Sequence, residues 1–209
     1  MSSLPISAII LAAGRSSRMG SPKQLLQFNG KNMLEMVIES VAVHAFAQVV
    51  VVVGHQHQQI MNSVKLQNVK IDWVLNEKYM EGQSTSFAKG IQQMKNTISS
   101  AMFFLGDQPF IQKETIDNII MEGEEKQKQV SSPFVIRPFY IEEPGHPVLF
   151  HNIRNLDLTQ LSGDEGGKGL MQQIKNKVKL QIDDPFTTMD IDTPKDYEKA
   201  LELINRANF

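Results

Sequence analysis

The residues best suited to chemistry fall in three clusters. The first is the run Leu11-Ala12-Ala13-Gly14-Arg15-Ser16-Ser17-Arg18-Met19-Gly20-Ser21-Pro22-Lys23. A loop of small residues lets backbone N–H groups approach a phosphate closely, and Arg18 and Lys23 are placed to neutralise its charge. No Gly-Lys-Ser/Thr closes the loop, so it is not a P-loop, and the dinucleotide-binding G-x-G-x-x-G is absent too. On spacing alone, a surface turn with two solvated cations fits as well. The second cluster is Gly106-Asp107-Gln108-Pro109. Its aspartate is either a turn former or a hard oxygen ligand for magnesium beside a triphosphate. Magnesium takes one or two protein carboxylates, so a second is expected elsewhere. The third cluster, Asp190-Ile191-Asp192-Thr193-Pro194, supplies it. Alternation along an extended segment puts Asp190 and Asp192 on one side and Ile191 on the other. Asp192 also stands where a carboxylate favours a helix dipole.

The elements around these clusters must place them together. Ile6 to Leu11 is short and nearly all apolar, as a buried parallel strand is. Leu34, Val37, Ile38, Val41 and Ala45 repeat along one helix face. Val49 to Val53 is a second buried strand, Val69 to Leu75 a third and Ala101 to Leu105 a fourth, with a helix starting near Ser84 between the last two. This alternation predicts an α/β layer fold. Glu122 to Gln129 is a solvated helix end or loop. Val130 to Ile141, Pro147 to Phe150 and Val178 to Ile182 read as strands without regular helices between them, extending the sheet or forming a small lid. Thr193 as N-cap, Pro194 at the first position and Asp196 at the third announce a final helix whose apolar face is Tyr197, Ala200, Leu201 and Ile204. With no long linker and no repeat, residues 1–209 are expected to form a single domain.

The chain has 209 residues, enough for a sizeable core. Lys and Arg total 21 against 23 for Asp and Glu, a net charge of −2, so no bulk positive field exists to hold nucleic acid. With no cysteine there are no disulfides, thiol nucleophiles or Cys-ligated metals. No apolar run is long enough to span a membrane and no basic start marks a secretory signal; a soluble, cytoplasmic protein is expected. His55-Gln56-His57 lacks a third ligand nearby and reads as structural or solvated histidines. The 11 methionines are scattered on apolar faces as core filling. Glu81-Gly82-Gln83-Ser84-Thr85-Ser86, before the helix carrying Phe87 and Ile91, is small and hydroxylated, as helix N-caps are.

The first cluster resembles L-A-A-G-x-S-x-R-M-G-x-x-K, a signature of the MobA-like nucleotidyltransferases, and is closest to the molybdenum cofactor cytidylyltransferase branch that includes accessory proteins of xanthine dehydrogenase and purine catabolism. Further motifs follow in order over almost the whole chain. The resemblance implies a Rossmann-like three-layer nucleotidyltransferase fold with a mostly parallel sheet and a β-rich C-terminal extension. It implies nucleotide binding by Leu11, Ala12, Ala13, Gly14, Arg18, Lys23, Gly82, Ser86 and Asp107, with Arg18, Lys23 and Asp107 catalytic. Asp107 and Asp192 would hold Mg²⁺, although Asp190 could exchange roles with Asp192. Gly145-His146-Pro147-Val148-Leu149-Phe150 and Gly163-Asp164-Glu165-Gly166-Gly167-Lys168 resemble acceptor-side motifs, so His146, Gly163, Asp164 and Lys168 would face the acceptor. Lys168 stands where arginine is usual, which keeps the charge and loses the bidentate fork. Ala12-Ala13-Gly14 is similar to the cytidylyl branch, where the guanylyl branch reads L-A-G-G, and the Ala13 methyl suits a smaller pyrimidine. The implied reaction joins CTP to molybdopterin, releasing pyrophosphate and giving the cytosine dinucleotide cofactor for a molybdenum hydroxylase such as xanthine dehydrogenase. An acceptor of another kind, such as a sugar phosphate, and a non-catalytic cofactor carrier or insertion chaperone are the rival readings.

Overall fold

The computed structural model describes residues 4–207; the ends of the expected 1–209 domain, residues 1–3 and 208–209, lie outside the described residues. In chain order the strands and helices are β1 (Ile6–Ala12), β2 (Gln27–Phe28), β3 (Lys31–Asn32), α1 (Met33–Ala42), β4 (Gln48–Val53), α2 (His57–Ser63), β5 (Asp72–Leu75), α3 (Gln83–Gln93), β6 (Ser100–Leu105), α4 (Lys113–Gln129), β7 (Phe134–Tyr140), β8 (Glu143–Pro144), β9 (Val148–His151), α5 (Lys168–Gln173), β10 (Asn176–Gln181) and α6 (Pro194–Ala207). The main sheet runs β10-β7-β9-β6-β1-β4-β5, with β8 paired to β7. β1 pairs in parallel with both β4 and β6, and β9 runs antiparallel to β6 and β7.

β1 is buried over its whole length. Its side chains alternate between two cores, as strand geometry requires. Ala8, Ile10 and Ala12 join the core under α1 and α4, while Ile9 and Leu11 join the core under α3. The result is an α/β/α sandwich. From β1 the chain turns outward to β4, whereas β6 lies on the other side and leads outward to β7. The crevice beyond β1 and β6 is therefore a topological switch point, where open α/β sheets bind ligands. It receives the loop after Ala12 and the turn at Gly106-Asp107.

The β-rich C-terminal part is no separate lid. β7, β9 and β10 continue the same sheet, with β9 as the antiparallel insertion. Strand β5 starts at Asp72 rather than Val69, and β7 at Phe134 rather than Val130, because Val130 caps the end of α4. Helix α5 was not anticipated, since its six residues bury only Leu170 and leave no periodic apolar signal. Glu122 to Gln129 is the last part of α4. Among the described residues no helix is long and apolar enough to cross a membrane.

Helix α3 lies close on the sheet because Gly90 is small. A Cβ there would sit 2.5 Å from Ile9 Cγ2 and 3.5 Å from Val52 Cγ2. Both neighbours are fully buried and have no room to move. Gly90→Ala is expected to destabilise the fold by about 1–3 kcal/mol through overpacking, against a helix-propensity gain of about 1 kcal/mol. Urea unfolding of the two proteins measures the net loss.

Candidate active site

The first cluster leaves the end of β1 as a curled loop pinned from beneath. Gln24 is buried and donates to the carbonyls of Ala12 (2.8 Å) and Gly14 (3.3 Å). Ser16 Oγ donates to the Gln24 side-chain oxygen at 3.3 Å and accepts from the Lys23 N–H at 2.9 Å. Ser16 and Gly20 take left-handed conformations that close the turns. A Cβ on Gly14 would meet nothing within 4 Å, so protein packing does not require glycine there.

The two acidic clusters meet this loop through backbone as well as side chains. The Ile191 N–H donates to the Asp107 carbonyl at 3.1 Å, joining the segment before α6 to the turn after β6. Gln108 Nε2 donates to Asp190 Oδ1 at 2.8 Å and to the Thr187 carbonyl at 3.2 Å. Thr193 and Asp196 cap α6 reciprocally, the Thr193 N–H to Asp196 Oδ2 at 2.8 Å and the Asp196 N–H to Thr193 Oγ1 at 3.2 Å. Asp192 is thus held on an extended segment immediately before a fixed helix start.

Charge is concentrated where the three clusters converge. Lys23 Nζ donates to Asp107 Oδ2 and, at 2.6 Å, to Asp192 Oδ1, while Arg18 Nη2 donates to Asp192 Oδ2 at 2.7 Å. The Lys23 side chain is only 13% exposed, so burial works against its charge; the attraction and hydrogen bonds of Asp107 and Asp192 outweigh that and raise its pKa. Burial likewise works against ionisation of Asp192, and the bonds and charges of Lys23 and Arg18 outweigh it, lowering its pKa. Asp190 is the odd carboxyl. Burial, reinforced by the Asp107 charge, pushes it up to about 6. Asp107 Oδ1 is buried and has no hydrogen-bond partner among the described residues.

These groups line a cleft of about 780 Å³. Leu11 to Gly14, Arg18, Lys23, Ser86, Asp107, His146, Asp164 and Asp192 all face it. Gly82, Gly163 and Lys168 do not. Gly82 is packed against the Gly163 backbone, where a Cβ would come within 2.3 Å of the Gly163 carbon. Lys168 pairs with Glu165 at 2.9 Å on the surface and borders a smaller neighbouring cavity. The Ser84-Thr85-Ser86 hydroxyls divide their work. Ser84 Oγ binds the Ser162 and Gly166 carbonyls and Thr85 Oγ1 the Gly82 carbonyl, whereas Ser86 Oγ accepts from Asn76 Nδ2 at 2.9 Å and faces the cleft. Sequence reasoning passed over Gln24, Asn76 and Gln108, which position the site, and Tyr79, Met80 and Gln83, which line it. Only Gln108 and Gln83 carried a signal, from their places within Gly-Asp-Gln-Pro and Gly-Gln-Ser-Thr-Ser. His55 Nδ1 lies 3.4 Å from the Tyr79 hydroxyl, and no group of three or more His, Cys, Asp or Glu among the described residues could hold a metal by itself.

A three-layer sandwich with a small-residue loop, a buried lysine and converging aspartates at its switch point defines an α/β protein with a charged ligand cleft at the carboxyl ends of its strands. Residues 8–178 match the MobA-like NTP transferase domain, and the chain belongs to that family. It is 26% identical over 205 residues to the nicotine blue oxidoreductase of Paenarthrobacter nicotinovorans, covering 94% of this chain and 96% of that one. It is 29% identical over 212 residues to a probable molybdenum cofactor guanylyltransferase of Natranaerobius thermophilus, covering 96% and 97%. Among solved structures it resembles Rv0371c of Mycobacterium tuberculosis, with a TM-score of 0.79, 27% identity and coverage of 96% and 100%.

His146 forms part of the cleft wall. Burial, and then the positive charge of Arg137, lower its pKa to about 3. The folded protein keeps this imidazole neutral where the unfolded chain, with a pKa near 6.5, takes up a proton. Above pH 7 the residue contributes nothing; as the pH falls below 6.5 the unfolded state binds the extra proton and stability is lost, levelling off near pH 3. Between pH 7 and pH 5 this amounts to about 1–2 kcal/mol. His146→Asn is expected to reduce the drop in unfolding free energy between those two pH values by that amount, measured by urea denaturation.

Proposed function

We propose that the protein is a magnesium-dependent nucleotidyltransferase that joins CTP to the phosphate of molybdopterin. The observation that carries this reading is the Lys23 ammonium lying between Asp107 and Asp192 at the mouth of the small-residue loop. A protein that only carried a cofactor would have no need of paired carboxylates and a buried cation at a switch point.

The donor set fits a divalent cation. The ammonium is a stand-in positive charge between two carboxylates, and the free, buried Asp107 Oδ1 is a further hard donor. Asp107 and Asp192 would hold magnesium, with substrate phosphate oxygens and water completing its shell, as that ion prefers. Asp190 lines the same cleft, with Oδ1 bound by Gln108, and could exchange roles with Asp192. When bound, the metal supplies charge neutralisation at the α-phosphate and the leaving pyrophosphate.

The chain's own groups do the rest. Backbone N–H groups of the loop receive the triphosphate, and Gly14, open on its Cβ side, lets it come close. Arg18 and Lys23 neutralise it. Ser86 is free to donate its hydroxyl proton to the nucleoside, because its oxygen already accepts from Asn76. The Ala13 methyl, buried in the cleft wall, narrows the base site toward a pyrimidine. An oxygen of the acceptor phosphate attacks the α-phosphorus, the bond to the β-phosphate oxygen breaks, and pyrophosphate leaves. A phosphate monoester is largely dianionic at pH 7, with a second pKa near 6. No general base is required, and catalysis consists of positioning and charge neutralisation. The product would serve a molybdenum hydroxylase such as xanthine dehydrogenase.

Pyrophosphate release with molybdenum-loaded molybdopterin is expected with CTP and magnesium and to be far weaker with GTP or ATP. Release with GTP would keep the reaction and overturn the base assignment. Release only with another phosphate acceptor, such as a sugar phosphate, would overturn the acceptor. Asp107→Asn is expected to lower kcat by about 100-fold or more while the protein stays folded. If that variant still delivered cofactor to an apo-hydroxylase as wild type does, the carrier reading would replace this one. Gly14→Ala should fold normally and raise KM for CTP.

A further inference from the structure

Beside the main cleft is a second cavity of about 170 Å³, and the two share Gln83 and His146 as walls. Arg137, on β7, forms another wall of the smaller cavity. Its Nε donates to the Gly145 carbonyl at 3.1 Å and its Nη2 to the Pro144 carbonyl at 3.4 Å. No carboxylate among the described residues pairs with it. Arg154 also binds only carbonyls, those of Met94, Lys95 and Ile98, but it lines none of the cavities described and is fully explained as a clamp. Arg137 has donors left over and a cavity in front of them.

The other charges around this cavity leave it positive. Lys168 and Glu165 pair with each other at 2.9 Å and cancel. His146 is neutral, held so by burial and by Arg137 itself. The guanidinium is therefore the uncompensated charge, half-buried, with burial alone lowering its pKa. Phe87, Val148 and Phe150 form an apolar back wall that strengthens any ion pair made in front of it.

We propose that Arg137 binds an oxyanion of the acceptor in this side cavity, so that the cavity is a substrate subsite and Arg137 is a determinant of acceptor choice. The inference rests on the nucleotidyl-transfer reading, in which the acceptor enters on the His146 side of the cleft. It places the decisive acceptor contact on Arg137 rather than on Lys168, whose charge is already taken by Glu165. The oxyanion is either the reacting phosphate or a second anionic group on the same acceptor.

Steady-state kinetics of Arg137→Gln and Arg137→Lys test it, with CTP and molybdenum-loaded molybdopterin varied separately. The expected result for Arg137→Gln is a rise of about 10-fold or more in KM for the acceptor, the cost of a lost charge-assisted hydrogen bond, with KM for CTP unchanged and partial recovery in Arg137→Lys. A concomitant fall in kcat would assign the reacting phosphate, and an unchanged kcat a second anionic group. Equal losses toward both substrates, or no change toward either, would overturn the proposal. Calorimetric titration of inorganic phosphate into the CTP-saturated protein keeps the test independent of turnover. Binding that is present in wild type and lost in a folded Arg137→Gln supports the subsite even if no nucleotide is transferred; binding that is absent, or equal in both proteins, counts against it.

Discussion

The Lys23 ammonium holds the carboxylates of Asp107 and Asp192, residues 84 and 169 positions away in the chain, at one point. Without that cation the two acids would repel each other in a half-buried cleft, against the backbone and Gln108 bonds that draw their segments together. Each flanking structure serves this contact. Gln24 and Ser16 curl the loop that delivers Lys23, the Ile191 to Asp107 backbone bond sets the late segment against the early turn, and the α6 cap fixes where Asp192 begins. A site built this way is pre-organised for charge, and transfer of a nucleotidyl group asks for little else.

The sheet explains why the contact forms at its particular place. β1 is the central strand of its half of the molecule, buried on both faces, with parallel neighbours on both sides. Successive crossovers leave it in opposite directions, which opens a crevice at the carboxyl ends of β1 and β6. Gly106 lets the two strand ends lie side by side, with its N–H bonded to the Leu11 carbonyl at 3.0 Å. The insertion of β9 against the direction of the others brings His146 to the same end of the sheet. The His146 wall and the small-residue loop of the cleft are thus products of one topology.

Family membership does not by itself fix the chemistry of this cleft. Relatives of similar identity are named for a guanylyl transfer and for an oxidation. What separates such activities must lie in the side chains lining the cleft, among them Ala13, Tyr79, Met80 and Gln83. That is the usual division between a fold and the sites grafted on it.

The sequence by itself determined the strands around β1, the loop from Leu11 to Lys23, the Gly-Asp-Gln-Pro turn and the capped start of α6. Each of these is a local pattern: a run of buried residues, a set of small ones, or a cap spaced by one helical turn. It also picked out Asp107, Asp192, Lys23 and Arg18, because acids and cations at strand ends stand out in a chain. The tertiary structure alone decided which of these touch. It separated Asp192, bound by Lys23 and Arg18, from Asp190, bound by Gln108 and pushed toward neutrality, a distinction alternation could not make because both face the same way. It chose Ser86 from three adjacent hydroxyls, turned Lys168 to Glu165 and away from the cleft, and set Gly82 against Gly163. Arg137 had no local signal at all: an arginine in an apolar strand acquires meaning only from the cavity and the missing carboxylate beside it. Contacts between distant segments depend on how the sheet is wound, and no window of sequence contains that information.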